Sequence, residues 1–145
     1  MRWILLDEVV GIEKRKWART RSRIPSGEFS RELLLLEMMA QTGGLLLGAE
    51  SDFQDDLIFA KIEKACFFEK SREMTEGERI AIEATSESLR SEGSWIDSSI
   101  EGQEERIAQA RLLLVNAGRL IPGFPRSITF PENFLNHFQV RQKVR

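Results

Sequence analysis

The sequence predicts an α+β fold in which an antiparallel β-sheet wraps around one long central helix. Three observations support this prediction. Residues 31–47 are apolar on nearly every side, so as a helix they must be enclosed by other elements. Residues 16–24 alternate strictly between two faces, which is the period of a strand. After the helix, β-rich segments follow one another with short turns, the pattern of antiparallel pairing.

The first part of the chain predicts a pair of strands. Residues 3–12 form the first, which ends in a charged turn near residues 13–15. In the second, one face carries Trp17, Arg19, Arg21 and Arg23, and the other carries Ala18, Thr20, Ser22 and Ile24. The breaker residues Pro25-Ser26-Gly27 end it.

The central helix has a recognisable start and two unusual interior residues. Ser30 is a helix cap, and Gly48 predicts the end of the helix after Leu47. Gly43 and Gly44 lie inside the helix, where each costs up to about 1 kcal/mol relative to alanine. We therefore expect a packing reason for them, such as the close approach of a sheet or of a ligand.

The remaining elements are four strands and an extension. Strands are predicted over 57–68, 79–89, 94–100 and 106–116. Residues 1–117 are expected to form one domain. Residues 118–145 form a C-terminal extension, with a linker at 121–125 and a short helix from Pro131 onward. The sequence leaves open whether this extension docks on the sheet, covers a dimer edge or stays loose.

Composition and length indicate a globular protein. The chain has 145 residues, 41% of them apolar and 30% charged, which suits a single domain with a real core. No apolar run near the helix approaches the length of a membrane span, and the N-terminal apolar run is too short for a signal peptide. Cys66 is the only cysteine, so no internal disulfide can form and a cytoplasmic location is expected.

Charge is distributed unevenly along the chain. Residues 1–31 carry net +4, whereas the whole protein carries −2. The simpler interpretation of these cations is a solvated strand face. The functional interpretation is a docking patch for an acidic partner, with Arg19 and Arg21 at its centre. Nucleic acid is disfavoured because the whole chain is acidic and carries no recognition motif.

The most informative stretch is Glu37 to Gly44, in the middle of the apolar helix. A carboxylate there is costly to bury unless it is paired, protonated or used in chemistry. Glu37 and Gln41 are one helical turn apart on the same face, and Gly44 continues that face. A carboxyl group beside an amide, with a glycine that leaves room for a guest, indicates part of a site.

An ordered set of segments resembles the hot-dog fold family of 3-hydroxyacyl-acyl-carrier-protein dehydratases over about residues 3–116. Residues 36–44, Leu-Glu-Met-Met-Ala-Gln-Thr-Gly-Gly, are similar to the family's central helix. Residues 61–67 are similar to the strand that follows it, Gly77-Glu78 matches its Gly-Asp turn, and residues 107–110 fit its last strand.

The resemblance implies a homodimer, or a larger assembly of such dimers, with acyl-thioester sites at its interface. The acyl group would arrive on the phosphopantetheine of an acyl carrier protein or of coenzyme A and enter a tunnel beside the helix. No resident cofactor and no metal are expected. In the family, a His and the helix Glu share the acid and base work of dehydration. Glu37 matches that Glu, and Gln41 and Gly44 fall beside the substrate.

The family's second catalytic group is missing. Its His heads a His-Phe-Pro motif, and an ungapped alignment from Glu37 puts Arg23 at the His and Pro25 at the Pro. The Pro-Gly pair that precedes the family helix falls on Arg31-Glu32. A guanidinium cannot accept a proton at any working pH. We therefore expect weak or no standard dehydration, with Arg23 and Pro25 left as substrate contacts and Arg23 facing Glu37 across the dimer.

Three functions remain open from the sequence. The chain is a dehydratase-type protein of fatty-acid or related lipid biosynthesis, a thioesterase in which Glu37 activates water, or a non-catalytic subunit that binds acyl thioesters or dimerises. Under a purely structural role, Glu37 would pair with Arg23 or Arg31.

His137, the only histidine, is expected to be a surface residue rather than a replacement base. Cys66 is expected to be a small apolar side chain, and the tryptophans Trp3, Trp17 and Trp95 core or interface anchors.

Overall fold

The computed structural model describes residues 4–54, 56–90, 92–117 and 129–145. Its strands are β1 (Glu8–Glu13), β2 (Trp17–Arg23), β3 (Leu57–Phe67), β4 (Arg79–Thr85), β5 (Gly93–Gly102) and β6 (Glu105–Asn116). Its helices are α1 (Arg31–Gly48), α2 (Glu69–Glu73) and α3 (Glu132–His137), with short 3-10 turns at Ala49–Ser51 and Arg141–Lys143. Trp3 and the predicted linker at 121–125 lie outside the described residues.

The six strands form one antiparallel sheet in the order β1-β2-β4-β5-β6-β3. The predicted α+β class and antiparallel sheet are therefore confirmed. Two connections depart from neighbour-to-neighbour order. After β2 the chain runs through α1 to the far edge of the sheet, where β3 has β6 as its one partner among the described strands. Helix α2, which the sequence analysis did not predict, then leads back to the middle of the sheet.

Helix α1 packs on the inner face of the sheet, as its apolar circumference predicts. Along β2, Ala18, Thr20 and Ser22 are buried against it while the arginines face outward, so the predicted alternation is confirmed. The Oγ1 atoms of Thr20 and Thr42 share a hydrogen bond of 2.8 Å between sheet and helix. A Cβ on Gly43 would lie 3.0 Å from Ile96 Cγ2, so this glycine lets the sheet approach the helix closely.

Several predicted boundaries were wrong. Strand β1 begins at Glu8, and β4 ends at Thr85. Helix α1 ends at Gly48, one residue beyond its predicted end, but Gly48 itself keeps helical φ and ψ and a 3-10 turn follows it. The chain leaves helical geometry at Asp52 and Phe53, which both have positive φ. Phe53 then folds back so that a Cβ on Gly48 would lie only 2.9 Å from its ring, which explains the glycine.

The C-terminal segment, residues 129–145, docks against both the helix and the first strand. Arg145 N–H donates to the Ile12 carbonyl at 2.8 Å, and Val144 forms a parallel bridge with Ile12. Arg141 makes two hydrogen bonds to Glu132 and holds the pKa of that carboxyl below its ordinary value. The extension therefore covers the Ile12 end of the outer edge of β1, whereas no described strand lies on the outer side of β3 at the opposite edge.

Residues 31–51 are long and apolar enough to cross a membrane by length and composition. However, 72% of the relevant window is buried inside the protein. This is the behaviour expected of the core helix of a soluble domain, so the apolar character of α1 is explained by the sheet around it.

Gly93, at the start of β5, predicts a test of the fold. Its φ is +155°, and a Cβ there would lie 2.6 Å from the Leu114 carbonyl oxygen. Gly27 is the matched control because its φ is +130° but no atom lies within 4 Å of its would-be Cβ. We expect Gly27→Ala to cost about 1–3 kcal/mol from backbone strain alone.

Gly93→Ala adds a backbone clash, so it should lower the free energy of unfolding by about a further 1–3 kcal/mol. Denaturant unfolding of both variants measures the difference. Equal losses for the two alanines would mean that β5 and β6 do not approach each other as described.

Candidate functional site

A cavity of about 200 Å³ opens beside α1, between the helix, the start of β3 and the C-terminal segment. Glu37, Gln41 and Gly44 all line it, as their common helix face predicts. The rest of the wall is mainly apolar and comprises Ile4, Ala40, Leu57, Ile58, Phe59, Leu114, Thr129, Phe130 and Phe134. One carboxylate and one amide in an apolar cavity are typical of a small-molecule site.

The carboxylate of Glu37 is held by a short chain of hydrogen bonds. The Leu5 backbone N–H donates to Gln41 Oε1 at 3.1 Å, which fixes which end of the amide is the carbonyl. Gln41 Nε2 then donates to Glu37 Oε1, also at 3.1 Å. Gln41 is therefore a positioning residue as well as part of the wall. The second carboxylate oxygen of Glu37 has no role in this chain of contacts.

Gly44 does leave space beside the helix, as predicted, but a side chain of the protein itself fills that space. A Cβ on Gly44 would lie 3.1 Å from Cζ of Phe130, whose ring comes from the C-terminal segment. Phe130 and Phe134 are the site residues that the sequence analysis missed. The available signal was the coincidence of a glycine pair in the helix with a phenylalanine-rich tail, but nothing in the sequence indicated that the two would meet.

Arg23 and Pro25 do not line this cavity. Arg23 lies on the outward face of β2, with its Nε 3.8 Å from Asp7. The pairing of Glu37 with Arg23 or Arg31, expected under a structural role, is not made within the protomer. Arg31 instead donates to the carbonyls of Ser71 and Met74 at 2.9 and 2.6 Å. It thereby ties the start of α1 to the end of α2.

Arg19 and Arg21 also lie on the outer face of the sheet, away from α1. Arg19 Nε is 2.6 Å from Glu83, and Arg21 Nη1 is 3.2 Å from Glu8. The guanidinium of Arg19 stacks 4.1 Å above Trp17, so this tryptophan supports the surface rather than the core. Trp95 likewise lies under Arg111, at 5.4 Å.

A larger depression, of about 370 Å³, lies on this outer face. Three of its charged side chains form one ion-pair cluster: Arg111 binds both Asp97 oxygens, at 3.0 and 2.9 Å, and approaches Glu63 at 3.3 Å. These contacts leave the three side chains less available to a ligand. The smaller cavity beside α1, where the helix carboxylate lies in a mainly apolar wall, is the candidate site.

His137 and Cys66 take no part in the cavity. His137 is exposed at the end of α3 and contacts Phe138 edge-on, with 4.8 Å between ring centroids. The C-terminal segment does fold back toward Glu37, but it brings phenylalanine rather than histidine. Cys66 is a half-buried free thiol on β3. Among the described residues, no group of three or more His, Cys, Asp or Glu side chains is arranged to hold a metal.

No family profile and no curated protein matches the sequence. Several solved structures, however, are similar to this protein in fold. A dehydratase heterocomplex, ApeI:P from Xenorhabdus doucetiae, has a TM-score of 0.62 at 12% identity, over 78% of this chain and 82% of that one.

Two further matches have the same architecture. The smu.793 protein of Streptococcus mutans, solved with acetyl CoA, has a TM-score of 0.58 at 12% identity, over 79% of this chain and 91% of that one. A candidate thioesterase from Shewanella oneidensis has a TM-score of 0.51 at 10% identity, over 70% of this chain and 76% of that one. At these identities the likeness establishes architecture alone: the chain has the hot-dog fold.

Proposed function

We propose that this protein binds an acyl thioester in the cavity beside α1, with the acyl group carried by an acyl carrier protein or by coenzyme A. The observation that carries the proposal is the placement of the Glu37 carboxylate in an otherwise apolar cavity. An acyl chain matches the apolar wall, and a hydroxyl group on that chain, or a water molecule beside its thioester, can donate a hydrogen bond to the Glu37 carboxylate. The acetyl CoA bound to the Streptococcus mutans protein supports the same ligand class.

The chemistry we propose is a weak 3-hydroxyacyl thioester dehydratase. Dehydration needs a base that removes the proton beside the carbonyl and an acid that protonates the departing hydroxyl. Glu37 can supply one of these groups. Arg23 cannot supply the base, because its guanidinium stays protonated. Fatty-acid or related lipid biosynthesis in the cytoplasm is the proposed setting, and no resident cofactor is needed because the substrate brings its own phosphopantetheine.

Thioester hydrolysis is the second candidate, and the contact between Glu37 and Gln41 favours it. The amide of Gln41 donates to Oε1 of Glu37 and so holds the carboxylate in place at the cavity wall. A carboxylate held in this way can take a proton from water while that water attacks the thioester carbonyl. The carbon–sulfur bond then breaks, and the thiolate recovers a proton. Binding without catalysis, as a subunit beside an active relative, is the third candidate.

We further propose a homodimer in which the β3 edges of two copies pair. Ile58, Phe59 and Ile62 on this strand are 37%, 38% and 41% exposed. An exposed, apolar edge strand is a template for pairing with another chain. The other edge strand, β1, already has a backbone partner at its Ile12 end, from the C-terminal segment. Because the cavity is lined by the start of β3, pairing there would place it beside the interface.

The role of Glu37 can be tested with Glu37→Gln, which keeps the shape and removes the charge. With 3-hydroxyacyl carrier-protein and coenzyme A substrates, we expect little enoyl product from the wild type. Any thioester hydrolysis by the wild type should fall by about 100-fold in the variant, as on removal of a general base. Chromatographic product analysis measures both reactions.

His137→Ala is the control for that experiment, since His137 lies outside the cavity, and it should leave each rate unchanged. Efficient dehydration by the wild type that Glu37→Gln abolishes would refute the proposal of weak dehydration. Loss of activity in His137→Ala would show that His137 takes part in the reaction, contrary to its placement outside the cavity.

The dimer can be tested with Ile62→Asp, which puts a charge in the middle of the exposed β3 edge. We expect the wild type to sediment as a dimer and this variant to shift toward the monomer. Val10→Asp is the matched control, because Val10 is 39% exposed but lies on β1. A monomeric wild type, or a dimer that Ile62→Asp leaves intact, contradicts pairing through β3.

Carrier-protein docking by Arg19 and Arg21 is the remaining proposal. Reversing both to Glu should weaken binding of an acidic acyl carrier protein by about tenfold and flatten its salt dependence. The matched control reverses Arg15 and Lys16, two exposed cations in the turn between β1 and β2. Calorimetric affinities that are equal for the two double variants would exclude a specific docking role for the β2 face.

A further inference from the structure

The C-terminal segment supplies one end of the cavity beside α1, and its position is fixed by the backbone of β3. Thr129 Oγ1 accepts a hydrogen bond from Leu57 N–H at 2.7 Å and donates to the Leu57 carbonyl at 3.1 Å. Both backbone groups of Leu57 are thus used by one side chain. The next residue, Phe130, is consequently held at a fixed place between the start of β3 and the helix.

The ring of Phe130 is restrained on several sides. It is 7% exposed, and the glycine positions 44 and 48 give it room against α1. Phe53 meets it edge-on, with 6.1 Å between centroids at 89°. Phe134, which also lines the cavity, lies 5.2 Å from it. A ring clamped between a helix backbone and two other aromatic rings acts as a wall rather than as a mobile lid.

This wall stands at a definite distance from Glu37. Gly44 is seven positions after Glu37, so at about 1.5 Å per residue the two lie about 10 Å apart along the helix axis. An extended chain advances about 1.2 Å per bond, so that distance spans about eight bonds.

We propose that Phe130 and Phe134 are the specificity-determining end wall of the acyl site and limit it to chains of about eight carbons. This inference rests on the proposed function, because it assumes that the acyl chain lies along the Glu37–Gly44 face. It adds a substrate class, short and medium acyl groups, and assigns the selection of length to the C-terminal segment.

The test is a series of straight-chain acyl coenzyme A thioesters, from four to sixteen carbons, titrated into the full-length protein by calorimetry. For the wild type we expect affinity to rise up to about fourfold per methylene buried. It should reach a maximum at about eight carbons and then fall or stay level. Phe130→Ala should move the maximum to longer chains by several carbons.

Two more variants make the result independent of folding defects. Phe130→Leu keeps an apolar side chain at the site and should shift the maximum less far in the same direction. Gly44→Ala places a methyl group against the same ring and should shift the maximum to shorter chains. Phe138→Ala is the matched control: Phe138 stacks on Phe134 at 4.8 Å but does not line the cavity, so its length profile should equal that of the wild type.

The outcomes separate this inference from the proposed function. A wild type that binds acyl thioesters, with a length profile that Phe130→Leu and Gly44→Ala leave in place, overturns the end wall and leaves the binding function standing. A wild type that binds hexadecanoyl coenzyme A more tightly than the eight-carbon thioester also overturns the end wall and leaves the binding function standing. A folded wild type that binds no acyl thioester of any length overturns both.

Discussion

The enclosure of α1 is the constraint on which the rest of this structure depends. A helix that is apolar on nearly every side cannot face water, so each side needs a partner. The sheet supplies most of the cover, and Gly43 lets it approach closely. The C-terminal segment covers the side that carries Gly44 and Gly48. The stripe that contains Glu37 and Gln41 is only half-buried, and the cavity opens there.

Glu37 and Gln41 can lie on this otherwise apolar helix because they form a hydrogen bond with each other. A carboxylate at the border of an apolar core is costly unless a hydrogen-bond donor faces it. Gln41 supplies the donor, and Leu5 sets the orientation of the amide. The arrangement leaves Glu37 directed at the cavity with a neutral partner rather than a cation or an imidazole. Such a group can accept a proton, but none of the other described residues that line the cavity is a titrating group with which to share a two-proton reaction.

The sequence predicted local features well where they depend on neighbours along the chain. The alternation in β2, the cap at Ser30 and the shared face of Glu37, Gln41 and Gly44 all follow from fixed periods of backbone geometry. Features that depend on distant segments were missed. The helix end was predicted to within one residue, but the reason for Gly48 was not, because this glycine makes room for Phe53 and Phe130. The partner of Gly44 was unknown because Phe130 is 86 residues away in the sequence. Neither relation leaves a periodic trace in the sequence.

The two edges of the sheet explain why one side of the site is closed and the other is available. At β1, the C-terminal segment adds a backbone partner through Val144 and Arg145, so the Ile12 end of this edge is already paired. The same segment, through Thr129 and Phe130, closes the cavity at Gly44. The opposite edge, β3, keeps its apolar side chains exposed and forms part of the cavity wall. Under the proposed function, the C-terminal segment would therefore set both the depth of the acyl site and the side from which a second copy approaches, and β3 would couple acyl selection to assembly.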